Sequence, residues 1–182
     1  MNPIEIAKDI YDVGVIDWNI RDFHGYSTYQ GTSYNSFLIV DEKIALIDTV
    51  KRGFLDNYLD KVSAICDCRE VDYLIINHME PDHSGSIRQL LALHPELKIV
   101  GNKKTSEFLA GYYGVTENVI EVADKEEISL GRHKLRFYHT PTVHWPETMM
   151  SFEETTGTIF SGDAFGGFGA LDGGIFDDEV DV

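Results

Sequence analysis

His78-Met79-Glu80-Pro81-Asp82-His83-Ser84-Gly85 places four side chains able to bind metal, His78, Glu80, Asp82 and His83, within six residues. The run before it, Val71 to Asn77, is short, apolar and rich in Ile, Leu and Val, which suits a strand buried on both faces. The run after it, Ser86 to Leu93, reads as a helix ended by Pro95. A loop so placed lies at the C-terminal end of a strand, where open α/β sheets keep their ligands. In an extended stretch, residues i, i+2 and i+4 point the same way. The expectation is that His78, Glu80 and Asp82 face one pocket, with His83 joining them where the chain turns.

Two later segments extend the set. Thr142-Val143-His144-Trp145-Pro146-Glu147 puts a histidine in a rigid aromatic turn, and Ser161-Gly162-Asp163-Ala164 puts an aspartate at the end of a strand, where a carboxylate can bridge two cations. Three carboxylates and three imidazoles exceed one four-coordinate site and suit a two-metal centre. The bland alternatives are a solvated polar loop at 78–83, a packed histidine beside Trp145, and an aspartate that only caps a turn. Carboxylates with imidazoles and no thiolate favour Fe, Mn or Zn. Iron is preferred, because three anions offset the charge gained on oxidation; the ligand types alone leave zinc open.

Working outward, Ile10 to Trp18 reads as a strand, Asn19 to Thr32 as a loop, and Tyr34 to Val40 with Ile44 to Val50 as a hairpin around Asp41-Glu42-Lys43. Residues 53–64 have helical apolar spacing. Lys98 to Gly101 is a strand, and Lys104 to Tyr113 a helix stopped at Gly114. From Asn118 the character is β, over Val119 to Val122, Glu127 to Leu130, Lys134 to His139, Met149 to Glu153 and Thr158 to Ser161, with a turn at Gly131-Arg132-His133. Asp163 to Val182 is Gly-rich and acidic, a loop on which a compact domain rarely ends. His94 and His133 read as surface residues and His139 as a satisfied strand residue. Trp18, Phe23, Tyr26, Tyr29 and Trp145 read as mostly core, some walling the site.

The 182 residues suit one domain, residues 1–182, and 43% hydrophobic with 25% charged residues is a globular balance. The net charge of −16 argues against nucleic acid or an anionic membrane as partner. No apolar run approaches the roughly 20 residues of a membrane span, and the acidic N-terminus lacks a signal-peptide pattern, so the reading is cytoplasmic. Cys66 and Cys68 read as ordinary thiols in a reducing compartment.

Taken in order, Asp17-Trp18-Asn19, Arg21-Asp22-Phe23-His24-Gly25-Tyr26, Thr32-Ser33-Tyr34-Asn35, Ile47-Asp48-Thr49-Val50, the His78 to Gly85 loop, His144-Trp145-Pro146 and Ser161-Gly162-Asp163 resemble the N-terminal metallo-β-lactamase-like domain of the flavodiiron proteins, or A-type flavoproteins. The resemblance implies an α/β fold, an αββα sandwich, holding a non-haem diiron centre. It assigns His78, Glu80 and His144 to one iron, Asp82 and His83 to the other, and Asp163 as the bridge. His24 resembles a pocket residue near the metals, touching substrate or a ligand; the bland alternative is a histidine that only packs its loop. Such proteins reduce dioxygen to water or nitric oxide to nitrous oxide. Their electrons come from FMN in a C-terminal flavodoxin-like domain, usually across a head-to-tail homodimer, with rubredoxin or a flavoprotein as donor.

The family's further histidine on the second iron and its flavodoxin-like domain are absent from these residues. The expectations are therefore an incomplete sandwich, weakened occupancy of the second iron site, and no FMN on this chain. A dizinc hydrolase on the same fold is the rival reading, but such enzymes typically show H-x-H-x-D-H and position 80 is Glu. A fragment acting only as a structural or dimerising module, through uncovered sheet edges, is the third.

Overall fold

A computed structural model describes residues 2–167, 169–170 and 174–179. Seven strands form a mixed sheet in chain order: β1 (Ile4–Ala7), β2 (Ile10–Asp12), β3 (Phe37–Ile39), β4 (Ile44–Ile47), β5 (Val71–Ile75), β6 (Lys98–Gly101) and β7 (Val119–Glu121). The first four pair antiparallel, and β4 to β7 pair parallel. Parallel neighbours need crossovers, which here are α1 (Leu55–Ser63), α2 (Pro81–Ser84) with α3 (Ile87–Leu93), and α4 (Lys103–Phe108). A second, antiparallel sheet follows: β8 (Glu127–Ser129), β9 (Lys134–His139), β10 (Met149–Glu153) and β11 (Thr158–Phe160).

Strand alternation assigns the two cores. Leu46 of β4, Leu74 of β5 and Ile99 of β6 pack with Tyr58, Val62, Ile87 and Leu90 of the helices. Their neighbours Ile47, Ile75 and Val100 point the other way and meet Leu135, Phe137, Met149 and Phe160 of the second sheet. The parallel strands are thus covered on both faces, as β5's composition predicts. Among the described residues helices cover only one side of the sandwich, so three of the four αββα layers are present. No helix among them is long and apolar enough to cross a membrane.

The hairpin around Asp41-Glu42-Lys43, the helix within 53–64 and the later strands occur as expected. The strand expected over Ile10 to Trp18 is instead broken. Asp12 accepts a hydrogen bond from the Gly14 amide (2.8 Å), and any Cβ at Gly14 would lie 2.5 Å from the Tyr34 carbonyl. This close approach turns the chain out of the main sheet, so that Val15–Asp17 pairs with Thr32–Tyr34. The supposed loop from Asn19 to Thr32 contains a ribbon of Asp22–Phe23 with Tyr26–Ser27. Its two-residue turn, His24-Gly25, has φ of 52° and 79°, the positive values such turns require. The helix expected to Tyr113 is α only to Phe108; a wider π turn, Leu109–Tyr113, completes it before left-handed Gly114.

Candidate metal centre

The site lies at the C-terminal ends of β4, β5 and β6, completed by the loops after β9 and β11. After β5 the chain runs extended through Glu80, which has φ −60° and ψ 146°. The extended arrangement expected to Asp82 ends there. Pro81 occupies the first turn of α2, where its fixed φ suits a helix, and the Glu80 carbonyl accepts from the amides of His83 and Ser84 (both 2.9 Å). Asp82 and His83 are therefore presented by a helical turn rather than by strand alternation. Ser84 locks the turn by donating to the Met79 carbonyl at 2.7 Å. Gly85 allows the Lys51-Arg52 backbone to approach, since a Cβ there would lie 2.8 Å from the Arg52 amide.

All six expected ligands converge. Nε2 of His78 lies 3.2 Å from Glu80 Oε2 and 3.2 Å from His144 Nε2. His144 Nε2 is 3.0 Å from both Glu80 Oε2 and Asp163 Oδ2. On the other side, His83 Nε2 is 2.7 Å from Asp163 Oδ1 and 3.5 Å from Asp82 Oδ2. Three overlapping groups result among the described residues, His78-Glu80-His144-Asp163, Asp82-His83-Asp163 and, from the cavity side, His24-Glu80-Asp82, with ligand atoms inside each within 4.8 Å of one another; Asp163 is shared by the first two. Ligand atoms on a common cation at bond lengths of about 2.1 Å are spaced roughly 3.0–3.4 Å apart, so these separations suit metal binding. Asp82 Oδ1 is buried with no hydrogen-bond partner among the described residues, an orphan that a cation would satisfy. The residues fit the metal pair that the sequence motif suggests.

The tip of the short ribbon brings His24 over this centre, its Nδ1 2.8 Å from Glu80 Oε1. His24, Phe23, Tyr26 and Asn35 help line a cavity of about 500 Å³ that opens onto Glu80, His144 and Asp163.

Residues 32–179 match the ODP family beta lactamase. The chain belongs to that family. It is 34% identical to the rubredoxin oxygen:oxidoreductase of the anaerobe Desulfovibrio gigas, with a TM-score of 0.93 over 98% of this chain and 45% of that one. Against the flavodiiron protein of Giardia intestinalis the figures are 33%, 0.94, 99% and 44%. It is also 38% identical to a nitric oxide reductase of Moorella thermoacetica, over 99% of this chain and 46% of that protein. The chain thus spans under half the length of these relatives. The resemblance to the metallo-β-lactamase-like domain of flavodiiron proteins holds for sequence and fold alike.

Charge in this ODP-family site is balanced internally. Burial opposes a charged His78, but hydrogen bonds to Glu147 and Glu80 push its imidazole up to about 9. Burial likewise opposes a charged His83, yet Asp163 and Asp48 hold it well above the ordinary value. Burial pushes the Asp82 carboxyl up, with only partial relief from His83. Against its burial, Asp163 is held far below the carboxylate range, above all by His83. Cations entering the site would displace these protons.

Two residues without an assigned role in the sequence reading support the ligands. Asp48 follows β4 directly and is buried; its Oδ1 accepts from the Asn77 amide (2.7 Å), and its Oδ2 lies 3.3 Å from His83 Nδ1. Glu147 lies 2.8 Å from His78 Nδ1 through Oε1. An acid directly after an apolar strand was the available signal for Asp48; Glu147, among Trp, Pro and Thr, offered none. Asn77 donates to the Phe160 carbonyl and accepts from Ser151, tying the site end of β5 to the second sheet.

Other expectations need correction. His133 is not a surface residue: it is buried, 3.1 Å from Glu153, because the β8–β9 turn folds against the Asp41 hairpin, where the His133 amide donates to the Asp41 carboxylate. Trp18 and Tyr29 are exposed rather than core, whereas Phe23 and Tyr26 wall the cavity as expected of some of these aromatics, because the Asn19–Thr32 excursion leaves the sandwich. His94, half-buried, contacts the Val71 carbonyl, and His139 the Val122 carbonyl. Cys66 and Cys68 are free and half-buried, and burial pushes the Cys66 thiol up to about 11, as an inert thiol requires.

Proposed function

We propose that residues 1–182 form one diiron-binding domain of a flavodiiron oxidoreductase that reduces dioxygen to water, nitric oxide to nitrous oxide, or both. The observation that carries this reading is the pair of ligand groups sharing Asp163, with Glu rather than His at position 80. His78, Glu80 and His144 would hold one iron and Asp82 and His83 the other, with Asp163 placed to serve both groups. Iron bound in this set would supply electrons and open coordination positions for a diatomic substrate. The chain's part is to fix the spacing of the ligands, keep one side of the pair open to the cavity, and wall that cavity with Phe23 and Tyr26. His24 holds Glu80 from the cavity side and contacts substrate. FMN on a flavodoxin-like domain of the whole protein would supply the electrons, in a homodimer with rubredoxin or a flavoprotein as donor, in the cytoplasm. The second site would be the weaker one, its group having three candidate ligands against four in the other.

Metal analysis after anaerobic loading with ferrous salt, followed by stopped-flow oxidation, tests the reading. Iron uptake and a single turnover by the reduced chain are expected. Preferential zinc uptake with hydrolysis of thioester or β-lactam substrates would favour the hydrolase instead.

A further inference from the structure

We infer that Glu147 is a positioning residue: by accepting a hydrogen bond from Nδ1 of His78 it sets the plane of that ring and turns Nε2 toward the metal centre. The inference rests on the metal-binding reading above and assigns a residue that the ligand set does not contain.

Glu147 is fully buried, as is His78. Its Oε1 lies 2.8 Å from His78 Nδ1 and accepts from the Met79 amide at 2.8 Å, so one oxygen holds both the ring and the peptide behind it. The backbone that carries this carboxylate is itself anchored. Asn102 donates to the Glu147 carbonyl, and the same Asn102 side chain caps α4 by accepting from the amides of Lys104 and Thr105. The loop carrying Glu147 also carries His144, whose Nε2 lies 3.2 Å from His78 Nε2, and Trp145, whose ring meets the His78 ring edge-on at 5.4 Å and 87°. One loop thus supplies a ligand of the first group and orients another through two contacts.

The charge on Glu147 argues for a role beyond packing. Its Oε2 is buried with no hydrogen-bond partner among the described residues. Burying a carboxylate this way is costly, and an apolar residue of similar size satisfies a purely structural position better. A carboxylate behind a metal-binding imidazole fixes the tautomer and raises the basicity of the ligating nitrogen. Asp48 offers His83 a comparable but longer contact, 3.3 Å, on the other metal group.

The test uses the whole chain and its Glu147→Leu and Glu147→Gln variants, loaded anaerobically with ⁵⁷Fe(II), with chelator competition for affinity and Mössbauer spectra to separate the two irons. Glu147→Leu is expected to weaken one iron by about 10–100-fold and change its quadrupole doublet while sparing the other. Glu147→Gln keeps an acceptor oxygen and is expected to recover most of the affinity, with a shift confined to the same doublet. Wild-type affinity at both irons in Glu147→Leu, or equal weakening of both, overturns the inference. If Glu147→Leu does not fold, the Glu147→Gln spectrum decides: one doublet shifted supports the inference, neither shifted overturns it. A wild-type chain that takes up no iron overturns the metal-centre reading and the inference with it, whereas normal wild-type uptake beside unaltered variants overturns the inference alone.

Discussion

Replacing Asp163 by Asn isolates the bridge. Asp163 turns Oδ1 to His83 at 2.7 Å and Oδ2 to His144 at 3.0 Å, so each oxygen serves one ligand group. Asn keeps the shape and one oxygen but presents an amide nitrogen, a donor, on the other side. The group of Asp82, His83 and Asp163 is then reduced to two side chains, while the group around His78 keeps at least three. Losing one charge-assisted contact of about 1.5–3 kcal/mol weakens the poorer site by roughly 10–150-fold. Metal held at one-hundredfold excess over its Kd stabilises the fold by about 2.7 kcal/mol per site. For a domain of this size, weakening one such site roughly 10–150-fold removes about 1.3–2.4 kcal/mol of that, or roughly 3–10 °C of the metal-induced rise in Tm. Calorimetry of metal-free and metal-loaded Asp163→Asn, with stoichiometry after dialysis against graded chelator, reads both quantities. Two tightly held metals and an undiminished thermal shift would show that Asp163 bridges nothing.

Other perturbations probe other parts of the argument. His24→Ala is expected to keep its metal content but slow oxidation of the reduced, loaded chain in stopped flow; loss of a metal would make His24 a ligand instead. Glu153 is buried, and although burial raises its carboxyl, hydrogen bonds from Thr156 and Thr155 hold it at about 2. A depressed carboxylate contributes stability fully above its ordinary value near 4.5 and loses it as pH falls through about 2. That contribution is on the order of 3 kcal/mol, so urea midpoints of Glu153→Gln should fall less between pH 5 and pH 2 than those of the wild type; parallel curves would count against it. Leu74→Ala, in the middle of β5 with no exposure, should cost about 2–5 kcal/mol in urea unfolding; a loss below about 1 kcal/mol would mean that β5 is not central to the helix-side core.

Strands and ligands were legible to different degrees. The β4, β5 and β6 runs announce themselves, because strands covered on both faces are almost wholly apolar and short. The break at Gly14 was not legible, since it depends on how near the Tyr34 carbonyl comes, a contact between segments 20 residues apart. Nor was the exposure of Trp18 and Tyr29. Aromatic residues in a loop look like core until the loop is seen to leave the sandwich. Pro81 was the overlooked local cue: a proline followed by polar residues opens a helix readily, and strand alternation should have stopped before it.

Residue chemistry and spacing were enough to name the six converging side chains, since only a few carboxylates and imidazoles follow strand-like runs and metals need those donor types. Tertiary structure alone decided how they are shared. It brings His144 and Asp163, from the second sheet's loops, against a helical turn at the end of the first sheet, and it sets Glu147 behind His78 across 69 residues of chain. Such pairings depend on the packing of one sheet on the other, which no local pattern of residues encodes.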